Sequence, residues 1–177
     1  MLYDKASAFR RFDYLNDLCL KASVILDITI IGGTAMLFNF DNSRMTIDID
    51  AVIHNKVCNQ DVDIDELLDQ ATIDRNGGNV MCVPDVFDCE RYLLKSYSNL
   101  NIFVFSVEEL AASKIFTIRQ KDLDDLINII FPQMTSIQLD TLKNLLSEYC
   151  SYYVGNIDNP DLNLNNPLVV AFVGTYH

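Results

Sequence analysis

The sequence predicts an α/β fold in the broad α+β sense, a small mixed sheet flanked by helices with a helical C-terminal part. Two observations predict this class. Segments rich in alternating or β-branched apolar residues interleave with segments of helical periodicity over the first two thirds of the chain. From about residue 107 the apolar spacing is helical, until an Asn- and Pro-rich tail begins near residue 151. Half of the 177 residues are apolar, which is enough for a substantial core.

The predicted elements follow in order along the chain. Apolar side chains recur at helical spacing over residues 5–22, which predicts an amphipathic helix. A β-branched run over residues 26–31 predicts the first strand, and residues 34–38 predict a short helix after Gly32-Gly33. The further predicted elements are a strand over 46–53, a helix over 63–71, a glycine turn at 76–79, a hairpin of 92–98 with 101–105, helices between 107 and 130, and a helix over 135–150.

The C-terminal part is predicted to pack on the main domain. Residues 1–130 form the domain in this prediction, and residues 131–177 add a helix and an irregular tail. The apolar end of the tail, Leu168 to Val173, has two interpretations. It adds a strand to a sheet edge of this or another molecule, which would make the protein a homodimer, or it is an ordinary docked terminus.

Two aspartates lie on one face of the predicted strand at residues 46–53. Strict alternation places Asp48 and Asp50 on the same side, with their Cβ atoms roughly 6.6 Å apart. Carboxylates that converge from such positions can hold one or two Mg²⁺ ions. The alternative is that these aspartates only cover the solvent-facing side of an edge strand.

A glycine pair separates the first predicted strand from the helix that follows. Gly32 and Gly33 would let the backbone approach a ligand closely, and Thr34 can cap the helix or donate through its hydroxyl. Unpaired N–H groups of a first helical turn attract phosphate oxygens. A tight turn without any ligand is the alternative interpretation. The order of the two signals, a glycine turn and then paired acids, favours a phosphate site.

These motifs resemble the nucleotidyltransferase superfamily, which is DNA polymerase beta-like, and in particular its minimal prokaryotic branch with the AbiEii-like toxins. The matching stretches are Gly32-Gly33-Thr34-Ala35, Arg44-Met45-Thr46-Ile47-Asp48-Ile49-Asp50 and the helical residues 107–130. The resemblance implies that the glycine turn holds a nucleoside triphosphate and that the two aspartates bind Mg²⁺. It also implies that Thr34 and Thr46 contact the nucleotide and that Arg44 neutralises phosphate charge.

A third acid usually completes the metal site in this family, on a later strand of the sheet. The strand predicted at residues 101–105 contains no carboxylate. Asp85, Asp88 and Glu90 lie nearby, in a stretch that looks like a loop or the start of a helix. The departure means that the protein either works with two carboxylates or has lost activity.

A lysine falls within the apolar face of the helix that begins near residue 107. At about 100° per residue, Lys114 lies in the same sector as Ile118, and Asp122 flanks the apolar stripe of the next helix. Lys114 is assigned either to a nucleotide phosphate, as a catalytic residue, or to Asp122, which would orient it. Arg119 and Asp125 are weaker companions of Lys114, and Arg119 and Asp122 are assigned to nucleotide binding. A structural Lys-Asp tie between two packed helices is the competing interpretation.

Charge sets limits on the partners. The formal net charge is −12, and the thirteen basic residues are dispersed, which disfavours a long nucleic-acid substrate. A small nucleotide with a protein acceptor, or a tRNA-like end bound through a small basic patch, fits better. The two histidines, His54 and His177, lie near no serine or cysteine pattern of nucleophilic catalysis.

The apolar runs and the cysteines of the sequence predict the compartment of the protein and the redox state of its thiols. No stretch approaches the roughly 18 apolar residues of a membrane span, and the N-terminus lacks a signal-peptide core. We therefore expect a cytoplasmic protein without membrane partners. The five cysteines are odd in number and scattered, which predicts reduced, mostly buried thiols.

Taken together, the sequence predicts a Mg²⁺-dependent nucleotidyltransferase. It would transfer a nucleoside monophosphate from an NTP such as ATP to a hydroxyl of a protein or a small RNA. The alternative is a nucleotidyltransferase fold that has lost catalysis and serves as a binding partner, for instance in a toxin–antitoxin pair.

Overall fold

The computed structural model describes residues 3–40, 45–58, 62–75, 89–153 and 155–176. Its described part has a mixed four-stranded sheet and flanking helices, which confirms the predicted α/β (α+β) class. The chain divides into two compact units: residues 3–75 with 90–105, and residue 89 with 106–176, each as far as described. The predicted domain limit at residue 130 stays a prediction. Arg44, Asp85, Asp88 and the predicted turn at 76–79 lie outside the described residues.

The sheet of the first unit has the strand order β2-β1-β4-β3. Strand β1 (Ile25–Ile30) pairs antiparallel with β2 (Ala51–Val57) and parallel with β4 (Leu100–Phe105). Strand β3 (Arg91–Ser96) pairs antiparallel with β4, so the predicted hairpin is present. The fully buried side chains along one face of the central strands come from Leu26, Ile28, Ile30, Ile102 and Val104. Four of these five residues, all except Leu26, are β-branched, which favours strands in a buried sheet.

The described residues of the same unit also form three helices. Helix α1 (Lys5–Ala22) has the predicted bounds and begins at a capping box formed by Asp4 and Ser7. Helix α2 (Gly32–Asn39) follows β1 almost at once. Helix α3 (Ile64–Ala71) begins at Asp63, whose side chain accepts from the backbone N–H groups of Asp65 and Glu66.

The second unit is helical in its described part. Its elements are α4 (Val107–Ile115), α5 (Gln120–Asp125), a π-helical turn (Leu126–Ile130), α6 (Phe131–Gln133), α7 (Ser136–Tyr152), a 3₁₀ turn (Asn163–Asn165) and α8 (Pro167–Val173). A π-helical turn shifts the register between the residues before it and those after it. Asp122, Asp125, Leu126 and Ile130 are all buried.

The strand predicted at residues 46–53 is wrong in its bounds. Strand β2 begins only at Ala51, and residues 46 and 50 form isolated bridges, with Tyr3 and Asp74 respectively. These two partners come from different parts of the chain, so no continuous ladder imposes strand alternation on the stretch. Ile47, predicted to point into the core, is 59% exposed for this reason.

Two further predictions need correction. Leu168 to Val173 is part of helix α8, not a strand, because the Asn166 side chain accepts from the Leu168 N–H and Pro167 occupies the first turn. The structural basis for a strand-mediated dimer is therefore absent. Ile118 is 65% exposed, since α4 ends at Ile115 and its apolar face does not continue that far.

The remaining general predictions concern membranes and thiols. Within the described residues no helix combines the length and apolarity needed to cross a membrane. No disulfide joins the described cysteines; Cys19 and Cys89 are buried, while Cys58 and Cys150 are partly exposed. Burial raises the pKa of the Cys19 thiol to about 11, which makes it unreactive at neutral pH.

Candidate functional site

The predicted glycine turn forms the first two residues of α2, so this helix begins two residues before its predicted start at residue 34. Gly32 is the first residue of α2 and has a φ of +59°, a conformation that disfavours residues with a Cβ. A Cβ built on Gly32 would lie 2.8 Å from Oδ2 of Asp50. The structure thus brings the first half of the predicted site, the turn, into contact with the second half, the paired acids.

The segment that carries the acids is held at both ends by backbone hydrogen bonds. At one end, Thr46 exchanges two bonds with Tyr3, the Tyr3 N–H donating to the Thr46 carbonyl over 2.6 Å. At the other end, the Ile31 N–H donates to the Asp50 carbonyl over 3.0 Å, and the Asp74 N–H donates to the Ile49 carbonyl over 2.8 Å. The segment from Thr46 to Asp50, which we call the acid segment, is therefore fixed between α1, the glycine turn and the end of α3.

Two threonine hydroxyls contact the middle of the acid segment. Oγ1 of Thr34 donates to the Asp48 carbonyl over 2.8 Å, and Oγ1 of Thr46 donates to the same carbonyl over 3.0 Å. Both residues are buried. Thr34 does not cap α2, because the N-cap residue is Ile31 and no side chain bonds the first turn. The predicted nucleotide contacts of these threonines stay predictions, and their observed partner is the backbone.

An open cavity of about 600 Å³ lies beside Asp48. The lining residues are Tyr3, Arg11, Ile47, Asp48, Ile49, Asp69, Thr72, Ile73 and Asp74. Three carboxylates and one guanidinium contribute its charged groups. Asp69 and Asp74 had not been predicted as site residues, because the bridge that brings Asp74 alongside Asp50 spans 24 positions and leaves no local sequence signal.

The candidate ligands for a hard divalent cation are the carboxylates of Asp48 and Asp50. Asp48 is exposed and Asp50 is partly buried, and carboxylate oxygens are ligands that Mg²⁺ prefers. Among the described residues no group of three or more Asp, Glu, His or Cys side chains could hold a metal ion. Mg²⁺ is commonly bound by one or two carboxylates together with substrate phosphates. Mg²⁺ binding by Asp48 and Asp50 stays a prediction.

Lys114 has carboxylate partners in the second unit. Its Nζ donates to Oδ1 of Asp122 over 2.6 Å and to Oδ2 of Asp125 over 2.8 Å. The side chains of all three are at most 5% exposed. The contact between Lys114 and Asp122 that the sequence had offered as one alternative is therefore present, and Asp125 joins it. Arg119 is half-exposed, and its Nε donates to Oδ2 of Asp122 over 2.5 Å.

The protonation of Asp122 follows from these partners. Burial by itself favours the neutral carboxyl, but the charges and hydrogen bonds of Lys114 and then Arg119 outweigh it. The net result is a pKa of Asp122 below its ordinary value of 3.8. Asp122 is ionised at neutral pH.

Two uncharged residues complete this buried cluster. Oγ1 of Thr117 lies 2.9 Å from Oδ2 of Asp122 and 3.1 Å from the Lys114 carbonyl oxygen, and its single proton can be donated to either acceptor. Nδ2 of Asn163, from the C-terminal tail, donates to the same Lys114 carbonyl over 3.0 Å. We call these residues, Lys114, Thr117, Arg119, Asp122, Asp125 and Asn163, the lysine cluster. Asn163 could not be singled out among the many asparagines of the tail.

A comparison with known protein families identifies a match for the chain. The model of a family described as "Nucleotidyltransferase of unknown function (DUF6036)" matches residues 9–165, which is well over half of the chain. No curated protein and no solved structure gives a significant match. The match covers the glycine turn, the acid segment and the lysine cluster.

Proposed function

The chain belongs to this family of nucleotidyltransferases, and we propose on that basis that it transfers a nucleoside monophosphate from an NTP to a hydroxyl acceptor. The observation that supports the proposal is the packing of the acid segment on the glycine turn, with the Asp50 carboxylate beside Gly32. Phosphates at the start of α2 and a cation on Asp48 and Asp50 would then be neighbours. A closer relationship to the AbiEii-like branch, which the motifs suggest, is part of the proposal.

The reaction follows from the proposed class. The acceptor oxygen forms a bond to the α-phosphorus, the bond from that phosphorus to its leaving oxygen breaks, and pyrophosphate departs while the hydroxyl proton passes to solvent. Asp48 and Asp50 would hold Mg²⁺, which when bound offsets charge on the phosphate oxygens. Arg44 is proposed to neutralise phosphate charge, as the motif implies.

The cavity beside Asp48 is where we place the acceptor. It adjoins a proposed metal ligand, and its volume of about 600 Å³ is within the range of small-molecule sites. Three carboxylates against one guanidinium repel a polyanion, so a protein or small-molecule hydroxyl is favoured over an RNA end. The whole-chain charge of −12 acts in the same direction.

Metal-dependent nucleotide binding tests the proposal most directly. Thermal shift with ATP, GTP, CTP and UTP, each with and without Mg²⁺, should show stabilisation only when both components are present. Asp48→Asn and Asp50→Asn should lose this shift and keep their folded baseline. Asp140→Asn, an exposed change of equal charge on α7, should behave like the parent protein. If no NTP changes the melting temperature of the parent protein, the proposed nucleotide site is refuted.

The second candidate function is that of a binding protein, which still binds the nucleotide but no longer transfers a nucleoside monophosphate. The observation in its favour is that no group of three or more potential metal ligands occurs among the described residues. Mass spectrometry of acceptor proteins incubated with the chain, NTP and Mg²⁺, together with pyrophosphate release, separates the two. Nucleotide binding without an adduct or pyrophosphate supports the second candidate, of which the toxin–antitoxin partner is one form.

A further inference from the structure

The carbonyl oxygen of Asp48 accepts two side-chain hydrogen bonds. One comes from Thr34 in α2, 14 positions earlier, at 2.8 Å, and the other from Thr46 within the acid segment, at 3.0 Å. A carbonyl has two lone pairs, so both donors can be accommodated. Thr34 is fully buried and Thr46 is 7% exposed. Both hydroxyl protons are therefore directed at protein backbone.

The position of Asp48 between two bridges explains what these bonds can do. Backbone bonds fix Thr46 against Tyr3, Ile49 against Asp74 and Asp50 against Ile31. Residues 47 and 48 lie between these points and outside the regular strand β2. An isolated bridge restrains its own residues and leaves the stretch between two bridges less constrained than a ladder would. The two hydroxyls act at the centre of that stretch.

The glycine pair allows this arrangement. A Cβ built on Gly33 would lie 2.8 Å from Oγ1 of Thr46, closer than real Cβ contacts occur. The Thr46 hydroxyl can thus reach the Asp48 carbonyl from its present position only because residue 33 has no side chain. Gly32 gives the Asp50 carboxylate the same room.

We propose that Thr34 and Thr46 are positioning residues, whose hydroxyls fix the backbone of Asp48 and so set where its carboxylate leaves the chain. A ligand group held by packed, hydrogen-bonded neighbours binds better than one that must be ordered on binding. The effect on metal binding rests on the proposed function. The effect on the acid segment itself does not, because the hydrogen bonds belong to the protein alone.

Isosteric substitution isolates the hydroxyls. Thr34→Val and Thr46→Val each remove one donor, and Thr34→Ser and Thr46→Ser restore it without the methyl group. Thr141→Val is the matched control, because the Thr141 hydroxyl also donates to a carbonyl, that of Ile137, on the exposed surface of α7. Amide hydrogen exchange at Ile31, Ala51 and Asp74 reports on the acid segment, and titration with Mn²⁺ reports on the carboxylates.

Each valine variant should raise exchange at these amides and weaken Mn²⁺ binding, both by about three- to tenfold, as expected for one lost hydrogen bond. The serine variants should recover both properties, and Thr141→Val should change neither. The double valine variant should fall short of the product of the single effects, because both donors share one acceptor.

Two results separate the possible failures. Folded valine variants with parental exchange and parental Mn²⁺ affinity would overturn the positioning role. A parent protein that binds no Mn²⁺ would overturn the proposed metal site, while the exchange data still decide the positioning role. If Thr34→Val does not fold because Thr34 is fully buried, Thr46→Val alone carries the same test.

Discussion

The acid segment and the lysine cluster use hydrogen bonds in opposite ways. In the acid segment, backbone groups and uncharged hydroxyls hold the chain, and the Asp48 carboxylate stays exposed. In the lysine cluster, Lys114, Asp122 and Asp125 bond one another and are buried. The Asp48 carboxylate is thus exposed to solvent, whereas the charges of the lysine cluster already compensate each other. The role of a charged residue in a family motif therefore has to be judged from its hydrogen-bond partners in the structure.

Breaking the lysine cluster should have the largest effect on stability. Lys114→Met removes the buried cation that bonds both Asp122 and Asp125, which should lower the free energy of unfolding by about 3–5 kcal/mol in urea titration. Lys143→Met is the control, since Lys143 is 41% exposed and lies 4.0 Å from Asp140; its cost should be about 0–1 kcal/mol. A stable Lys114→Met protein that has lost NTP binding would instead assign Lys114 to the phosphate.

Acid should weaken the same cluster gradually. The pKa of Asp122 is lowered on folding, so its contribution to stability is present above the ordinary value of 3.8 and is lost as the pH falls through the folded-state pKa. The free energy of unfolding of the parent should therefore fall more steeply below that pH than that of Asp122→Asn. Asp124→Asn, an exposed change on the same helix, should keep the parental slope. Equal slopes in all three proteins would show that Asp122 does not titrate differently on folding.

Gly32, which lies beside the acid segment, should be sensitive to substitution. Gly32→Ala places a Cβ at positive φ, which costs roughly 1–2 kcal/mol, and it also meets the Asp50 carboxylate. A double-mutant cycle with Asp50→Ala, followed by chemical denaturation, separates the two contributions. We expect part of the loss to disappear when residue 50 has no carboxylate. Strictly additive effects would mean that the carboxylate moves aside without cost.

Sequence patterns predicted the secondary structure well where one face of an element is buried. Helix α1 was predicted with its observed bounds, because the apolar spacing and the cap at Asp4 agree. The strand prediction failed at residues 46–50, where alternation of Ile and Asp looked like a ladder but the partners are two isolated bridges. Helix α8 was missed because its cap, Asn166-Pro167, was interpreted only as a break.

The predicted site residues divide in the same manner. Local signals found Gly32 and Asp50, whose carboxylate lies beside Gly32, and Asp48, whose carbonyl accepts from Thr34. The metal and nucleotide roles assigned to these residues stay predictions. Helical periodicity found the inward direction of Lys114 and Asp122, which bond each other. Asp69, Asp74 and Asn163 escaped notice because their contacts depend on tertiary packing, which neither spacing nor residue type encodes.

The smallest predicted effect concerns strain beside the acid segment. Thr72 ends α3 in the left-handed region with a φ of +59°, unusual for a β-branched residue, and it lines the cavity next to Asp48. Thr72→Asn should relieve this strain and raise the free energy of unfolding by about 0.5–1 kcal/mol, because Asn tolerates the conformation better. Ser23→Asn is the control, since Ser23 has a φ of 55° but no branched side chain and should gain less.

The functional consequence of Thr72→Asn sharpens the comparison between the two regions. Strained residues persist at sites where the surrounding structure holds them, and stabilising them commonly lowers activity. If the cavity receives the acceptor, Thr72→Asn should raise KM for the acceptor and leave the Mg²⁺-dependent thermal shift with NTP unchanged. A more stable protein with unaltered transfer would mean that the strain at Thr72 is a by-product of ending α3 and that the cavity does not contact the acceptor there.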